Sequence, residues 1–555
     1  MKKSKVRLVS AMEKVFASKE PTGEGSTKNI VVMRGETVSF QIAYYWEGLG
    51  REDGRVEIVS PIKDYIKVRC VKLVPCEYPC HMQRDEDYLI TEPGLYPDLL
   101  TEIPDRGFPI INGQWRSLWV DIDADEEIKS GDYKIAVKLS VDESTMGEIE
   151  VQCKVLRAVL PPLPIRHTEW LHTDCLANYY KVEVFSEQYW QIVKKFVRTA
   201  AKRNCNMILT PIFTPPLDTV IGGERLTVQL VDVKEENESY TFRFDNFEKW
   251  VKICKESGIE YFEMSHLFTQ WGALAAPKIM AEKDGRYQKI FGWETSAAGG
   301  EYEKFLRQFL PELKKEIKRL GIEKKVYFHV SDEPRMSDLE SYRAAKGIVK
   351  DYLEEFEIFD ALSDYEFYKE NLVKQPVCAI DHIEPFLKER PQKLWGYYCT
   401  SQSQKVSNRF IAQPSYRTRI IGAQLYKYKL DGFLHWGYNF YNAQYSLFAI
   451  DPYQCTDAGG AFPSGDPFLV YPGKGGEPEE SIRMMMMNAA MNDVRAMYFL
   501  ERLEGRDRVM KCIECGPEEK VEFDDYPKSI QYIENYRTRI NQAIESSINK
   551  SWSKK

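Results

Sequence analysis

Val326-Tyr-Phe-His-Val-Ser-Asp-Glu-Pro334 runs from an apolar, aromatic segment into two adjacent carboxylates and a proline. It reads as a buried strand that stops at Pro334. Proline fixes its own φ and has no N–H, so side-chain alternation need not hold over the last two residues before it. Asp332 and Glu333 are therefore expected to face one cleft. Two carboxylates this close resist simultaneous ionisation, which is one way to keep a general acid protonated near neutral pH. The same pair also suits the N-terminus of a following helix whose first turn runs through Met336-Ser-Asp-Leu-Glu340, because acidic groups favour that end.

Working outward, the chain around this stretch alternates strands with amphipathic helices, the pattern of parallel βα units. Strands are expected at 166–171, 207–210, 261–264, 326–330, 357–362, 376–380, 394–398 and 432–436. Helices are expected at 186–203, 246–257, 301–320, 337–353 and 415–429, with Gly258 and Gly321 as stops, and another at 481–503. Eight such strands in sequence are most economically a (β/α)8 TIM-type barrel.

N-terminal to the barrel, Leu160-Pro-Pro-Leu-Pro164 reads as a stiff linker. Before it the texture differs. Short alternating runs such as Thr37-Val-Ser-Phe-Gln-Ile-Ala-Tyr44 and Tyr133-Lys-Ile-Ala-Val-Lys-Leu-Ser-Val141 argue for an antiparallel β-sandwich. The expected organisation is a sandwich over 1–160, a catalytic barrel over 165–505 and a short C-terminal appendage over 506–555.

Composition narrows the function. The 555 residues carry 43% hydrophobic and 29% charged side chains, an ordinary globular balance, and 33 Tyr, 27 Phe and 11 Trp supply faces suited to sugar rings. A net charge of −8 gives no footprint for nucleic acid or an anionic membrane. The basic start carries no apolar signal segment and no run is long enough to insert in a membrane, so the expected compartment is the cytoplasm, with a trimmed secreted form as the alternative. Twelve cysteines lack the density of a disulfide scaffold. Cys76-x-x-x-Cys80 and Cys512-x-x-Cys515 have no nearby partner pair to complete a zinc site, and no cofactor motif is evident.

Catalytic groups of such barrels lie at the C-terminal ends of strands. Those ends carry Trp170, His172 and Asp174; Ser265 and His266; Asp332 and Glu333; Asp364 and Tyr365; Asp381 and His382; Tyr397 and Tyr398; and His435, Trp436, Tyr438 and Asn439. The spacing shows neither His-x-His on the first strand nor His-Glu-x-x-His on a helix, so no catalytic metal is expected. A covalent retaining glycosidase with its nucleophile on the seventh strand would need a carboxylate in Leu394-Trp-Gly-Tyr-Tyr-Cys-Thr400, which has none.

The remaining mechanism uses the substrate's own nucleophile. A 2-acetamido carbonyl oxygen attacks the anomeric carbon while Asp332 holds the amide N–H and Glu333 acts as general acid, then general base. The expected substrate contacts are Trp170, Tyr398 and Trp436 for sugar faces, with His172, His266, Asp364, Tyr365 and Asn439 for polar groups.

Ser331-Asp-Glu-Pro334, the strand Asp431-Gly-Phe-Leu-His-Trp-Gly-Tyr-Asn439, and the loop Phe462–Gly473 followed by Ser481-Ile-Arg483 resemble glycoside hydrolase family 123. The resemblance implies a β-sandwich, a (β/α)8 barrel and a substrate-assisted, retaining β-N-acetylgalactosaminidase, with Asp332 and Glu333 as its Asp-Glu pair. A β-N-acetylglucosaminidase of the same mechanism and a glycan-binding barrel without turnover are the alternatives. The methionine run Met484–Met487 departs from the mixed, acid-containing helix start expected there, and reads as helix core.

Overall fold

The structure, a computed structural model, describes residues 3–142 and 144–552. The chain forms two compact units: unit 1 comprises Met1–Pro164, Ser403–Tyr428 and Glu479–Lys555, and unit 2 comprises Ile165–Gln402 and Lys429–Pro478.

In unit 1 the alternating runs build two five-stranded sheets. One has the order Lys3–Ser10, Glu36–Glu47, Trp115–Ala124, Ile66–Cys76, Gly94–Glu102; the other has Asn29–Arg34, Ser144–Val159, Gly131–Val141, Arg51–Val59, Phe108–Ile110. Every second side chain, such as Phe40, Ile42 and Tyr44 or Ile135, Val137 and Leu139, enters one apolar core. One pairing departs from the antiparallel expectation: Asn29–Arg34 lies parallel to Ser144–Val159. Gly35 is the only residue between Asn29–Arg34 and Glu36–Glu47. At φ 82° it sends the chain to the other sheet, where a hairpin would need a longer loop.

Residues 506–555, read above as an appendage, sit within unit 1. Ile533, Tyr536, Ile540 and Ile544 recur at helical spacing along Ile530–Trp552 and pack with Met497, Leu500, Val509 and Ile513. The methionine run is core: Met485 and Met486 join the same cluster.

Unit 2 contains a closed barrel of eight parallel strands: β1 Arg166–Glu169, β2 Met207–Thr210, β3 Tyr261–Met264, β4 Val326–Phe328, β5 Glu357–Ala361, β6 Gln375–Ala379, β7 Trp395–Tyr397 and β8 Gly432–His435. Each expected strand exists, trimmed by one or two residues at several ends. Helices fill the connections up to β7, including Glu187–Lys202, Asp245–Ser257, Gly300–Arg319 and Leu339–Leu353. Helices Ile421–Lys427 and Ile482–Glu504, which follow β7 and β8 in the chain, belong to unit 1. Leu209, Tyr327, Phe359, Val377, Trp395 and Leu434 point inward and fill the barrel.

A four-stranded sheet, Asp232–Glu236, Ser239–Arg243, Ile279–Lys283 and Arg286–Phe291, is added by the connections after β2 and β3. It was not expected, although Lys283-Asp-Gly-Arg286 carries a hairpin signal. Asp284 and Gly285 both take positive φ, at 51° and 69°, as a two-residue type I′ turn requires.

Candidate active site

β4 ends at Phe328, and the chain beyond it is held by the segment after β3. Leu267 N–H donates to His329 O (3.3 Å), Phe268 N–H to Val330 O (3.2 Å) and Trp271 N–H to Asp332 O (3.0 Å), while Ser331 Oγ donates to Thr269 O (2.9 Å). This strapped turn leads into Glu333 at φ 44°, in the left-handed region. The change of hand breaks the alternation of a strand, and Asp332 and Glu333 both line a cavity of about 200 Å³ at the C-terminal mouth of the barrel.

Each acid has a distinct setting. Glu333 Oε1 accepts the phenol of Tyr397 at 2.5 Å, and that phenol also contacts Ser363 Oγ at 3.0 Å. Burial, and then the charge of Glu333, push the Tyr397 hydroxyl well above its ordinary pKa, so it stays a donor. Burial first, and the Glu333 charge second, hold Asp332 well above the usual carboxylate range. The two adjacent acids thus differ in setting, and Asp332 is the one whose charge is disfavoured by burial and by its neighbour.

Beneath the pair lies a buried charge cluster. Glu263 on β3 accepts from Thr168 Oγ1 (2.6 Å), Trp170 Nε1 (2.6 Å) and His329 Nε2 (2.7 Å). Asp360 on β5 faces His329 Nδ1 (3.2 Å), accepts from Val330 N (3.0 Å) and takes the hydroxyl of Tyr342. Burial opposes the charge on His329, but its hydrogen bonds to Asp360 and Glu263 win and raise it to about 9. His266 stacks on it, ring centroids 4.1 Å apart, and burial followed by the His329 charge lowers it well below the histidine range.

Trp436 forms a wall of the cavity. Its ring packs on Phe440 and Phe462, with centroids 4.9 and 5.6 Å away, and its indole N–H donates to Asp466 Oδ2 at 3.0 Å. Gly437 makes this possible, since a Cβ there would lie 2.6 Å from the carbonyl oxygens of Asp466 and Pro467. His172 Nε2 donates to Trp436 O (2.8 Å), and Arg225 donates to His172 Nδ1 (3.0 Å) while pairing with Asp174. Burial, then Arg225, lowers His172 to about 3, so it is a neutral strut with a fixed tautomer.

Residues 170–500 match the family model described as glycoside hydrolase 123, catalytic domain. The chain belongs to glycoside hydrolase family 123. Its fold is similar to that of a family 123 glycoside hydrolase from Clostridium perfringens, solved to give the details of glycolipid glycan hydrolysis. Identity is 15%, 99% of each chain is covered and the TM-score is 0.75. A family 39 glycoside hydrolase from Bacteroides cellulosilyticus WH2 is far more distant, at 9% identity and TM-score 0.34 over 84% of this chain and 82% of that one. No curated protein sequence matches.

For this family 123 enzyme the expected contact residues separate into two groups. Asp332, Glu333, Trp170 and Trp436 line the cavity. His172, His266, Asp364, Tyr365, Tyr398 and Asn439 are not among its lining residues. Tyr398 is fully buried against Phe433 and His435, because Tyr397, its neighbour on β7, takes the inward position. Asn439 is buried and holds the backbone of His172 through both amide atoms, at 2.8 and 3.1 Å. His266 lies under Trp170, ring centroids 5.5 Å apart. Asp364 caps Tyr365–Lys369 by accepting from Phe367 N, and Tyr365 turns to Glu389.

The cavity also takes in Asp218, Gln270, Trp271 and Tyr445, from loops with no periodic pattern to mark them. Asp218 accepts from Tyr445 N at 3.0 Å, and burial raises its carboxyl to about 6. Among the described residues, His266, His329 and Asp360 are the group of potential metal ligands that lies close enough together. They do not suit a metal, because both nitrogens of His329 already face carboxylates and the two imidazoles are stacked face to face.

Proposed function

We propose that this family 123 hydrolase is a retaining exo-glycosidase that releases terminal β-linked N-acetylgalactosamine, with the 2-acetamido group of the sugar as nucleophile in a (β/α)8 TIM-type barrel. The observation that carries the reading is the adjacent pair Asp332 and Glu333 in one cleft, in different settings.

In the proposed cycle the acetamido N–H donates to Asp332. A donor to a carboxylate favours its charged form, so binding favours ionised Asp332, and in this cycle Glu333 carries the proton for the leaving group. The acetamido oxygen attacks C1, Glu333 gives its proton to the leaving oxygen, and Asp332 faces the positive charge of the oxazolinium ion. Water, deprotonated by Glu333, then opens the ring from the face the aglycone left, which retains the anomeric configuration. Trp170 and Trp436 are suited to stack on the sugar.

A second reading has one specific support: Asp218 is a further carboxylate in the cavity and would be the nucleophile of a covalent mechanism. Release of p-nitrophenol from the β-N-acetylgalactosaminide, the β-N-acetylglucosaminide and the β-galactoside decides between them. Under the acetamido reading, hydrolysis of the first is expected, absent from the β-galactoside and lost in Asp332→Asn and Glu333→Gln. Turnover of the β-galactoside, with loss of activity in Asp218→Asn, would overturn it. Preference for the β-N-acetylglucosaminide would keep the mechanism and change the sugar.

A further inference from the structure

Among the described residues, His329 bonds to both carboxylates of the cluster under the Asp332–Glu333 pair, and its hydrogen-bond geometry fixes its charge. Glu263 already accepts from Thr168 and Trp170, and Asp360 already accepts from Val330 N–H and the Tyr342 hydroxyl. A neutral imidazole has one N–H, so its other nitrogen would point a lone pair at a carboxylate oxygen at 2.7 or 3.2 Å. A doubly protonated ring satisfies both sides. All three side chains are fully buried, where water screens the charge little.

The cation lies three residues before Asp332. The titratable groups that bear on Asp332 are Glu333 beside it, His329, Glu263 on β3 and Asp360 on β5; neutral His266 packs against His329. Burial and all three acids favour the protonated form of Asp332. His329 alone in this set opposes them. Yet the acetamido reading requires Asp332 to ionise when substrate arrives.

We propose that His329, held as an imidazolium between Glu263 and Asp360, is a positioning residue that favours the ionised form of Asp332, the form that accepts the acetamido N–H. Its contacts also bind the cavity floor to the pair, since Glu263 carries Trp170 and Asp360 carries the Val330 amide just upstream of Asp332. The inference rests on the acetamido reading for its catalytic meaning, while the effect on Asp332 can be read without substrate.

The test uses full-length protein with ¹³C-carboxyl aspartate, titrated as wild type, Asp332→Asn to assign the signal, and His329→Gln. The expected result is an Asp332 midpoint about one pH unit higher in His329→Gln, a tenfold change in its ionisation constant. An unchanged midpoint overturns the proposal. In kinetics, the profile of kcat/KM against pH moves towards higher pH in His329→Gln, whereas loss of packing alone would lower it without moving it. Should His329→Gln fail to fold, ¹⁵N-histidine spectra of wild type and Glu263→Gln still decide. An imidazolium persisting to pH 8 in wild type and lost in Glu263→Gln supports the proposal, and no such signal refutes it. Failure of the acetamido reading would appear separately, as hydrolysis surviving in Asp332→Asn.

Discussion

Replacing Trp436 separates its two contributions to the site. The indole gives a half-exposed face to the cavity, packs on Phe440 and Phe462, and donates to buried Asp466 at 3.0 Å. Trp436→Ala removes the face and the donor together, whereas Trp436→Phe keeps a ring and removes the donor. Truncating a central aromatic anchor costs about 2 kcal/mol of binding, which is roughly 30-fold in affinity. The hydrogen bond to Asp466 is worth about 1.5–3 kcal/mol, because its acceptor is charged. Steady-state kinetics on the better p-nitrophenyl hexosaminide, beside urea unfolding, are the assays. Trp436→Ala should raise KM about 30-fold and lower stability. Trp436→Phe should lower stability by a similar hydrogen-bond term yet raise KM less than about threefold. An unchanged KM in Trp436→Ala would remove the ring from the sugar site. Equal KM defects in both variants would show that the indole N–H acts through Asp466 and that the ring face does not matter.

Tyr397→Phe deletes the 2.5 Å donor to Glu333 and should lower kcat/KM roughly 10- to 100-fold, the value of a charge-assisted hydrogen bond, with the fold intact by circular dichroism. Asp218, raised to about 6 in the fold, binds protons more tightly folded than unfolded, so its ionisation costs stability as pH rises from about 4 through 6. Asp218→Asn keeps an oxygen to accept from Tyr445 N. It should exceed wild type by about 2–3 kcal/mol in urea unfolding at pH 7.5 and match it at pH 4, with hydrolysis retained. Ser331→Ala removes the 2.9 Å bond to Thr269 O that straps the turn before Asp332 and Glu333. It should cost about 1 kcal/mol of stability and lower kcat several-fold with KM unchanged; an unchanged kcat would mean the turn keeps its geometry without that strap.

Strand positions were legible because each barrel strand is a short apolar run bounded by turn residues and helices. The face each residue takes was less legible. A strand of a parallel barrel is apolar on both sides, so Trp395-Gly-Tyr-Tyr398 offers no polar alternation to say which tyrosine points inward. The structure answers with Trp395 and Tyr397 in the barrel core, which sends Tyr398 outward. Histidines at strand ends read as contacts in the sequence, yet His172 and His266 are buried supports, as their partners Arg225 and His329 show. Asp218, Trp271 and Tyr445 reach the cavity from irregular loops, where neither period 2 nor period 3.6 operates. Their placement depends on contacts such as Asp218 with Tyr445 N, more than 200 residues apart in the chain.

The Asp-Glu pair was found in the sequence for a reason that is incomplete. From sequence, Pro334 ends the strand and releases its side-chain alternation. The strand in fact ends at Phe328, and the pair faces one cleft because Glu333 sits at φ 44°. A non-glycine residue there costs about 1–2 kcal/mol. That conformation persists because the preceding residues are tied on one side to the segment after β3, through three backbone hydrogen bonds and Ser331, and on the other to Asp360 through the Val330 amide. The local rule for a strand end is thus violated at the position where two carboxylates must share one space. The restraints that hold the violation come from β3 and β5 rather than from the motif itself, so an Asp-Glu-Pro tripeptide alone is poor evidence of this chemistry. It becomes evidence when its flanking strands supply the acids, the histidine and the strap that keep both carboxylates turned to the cavity.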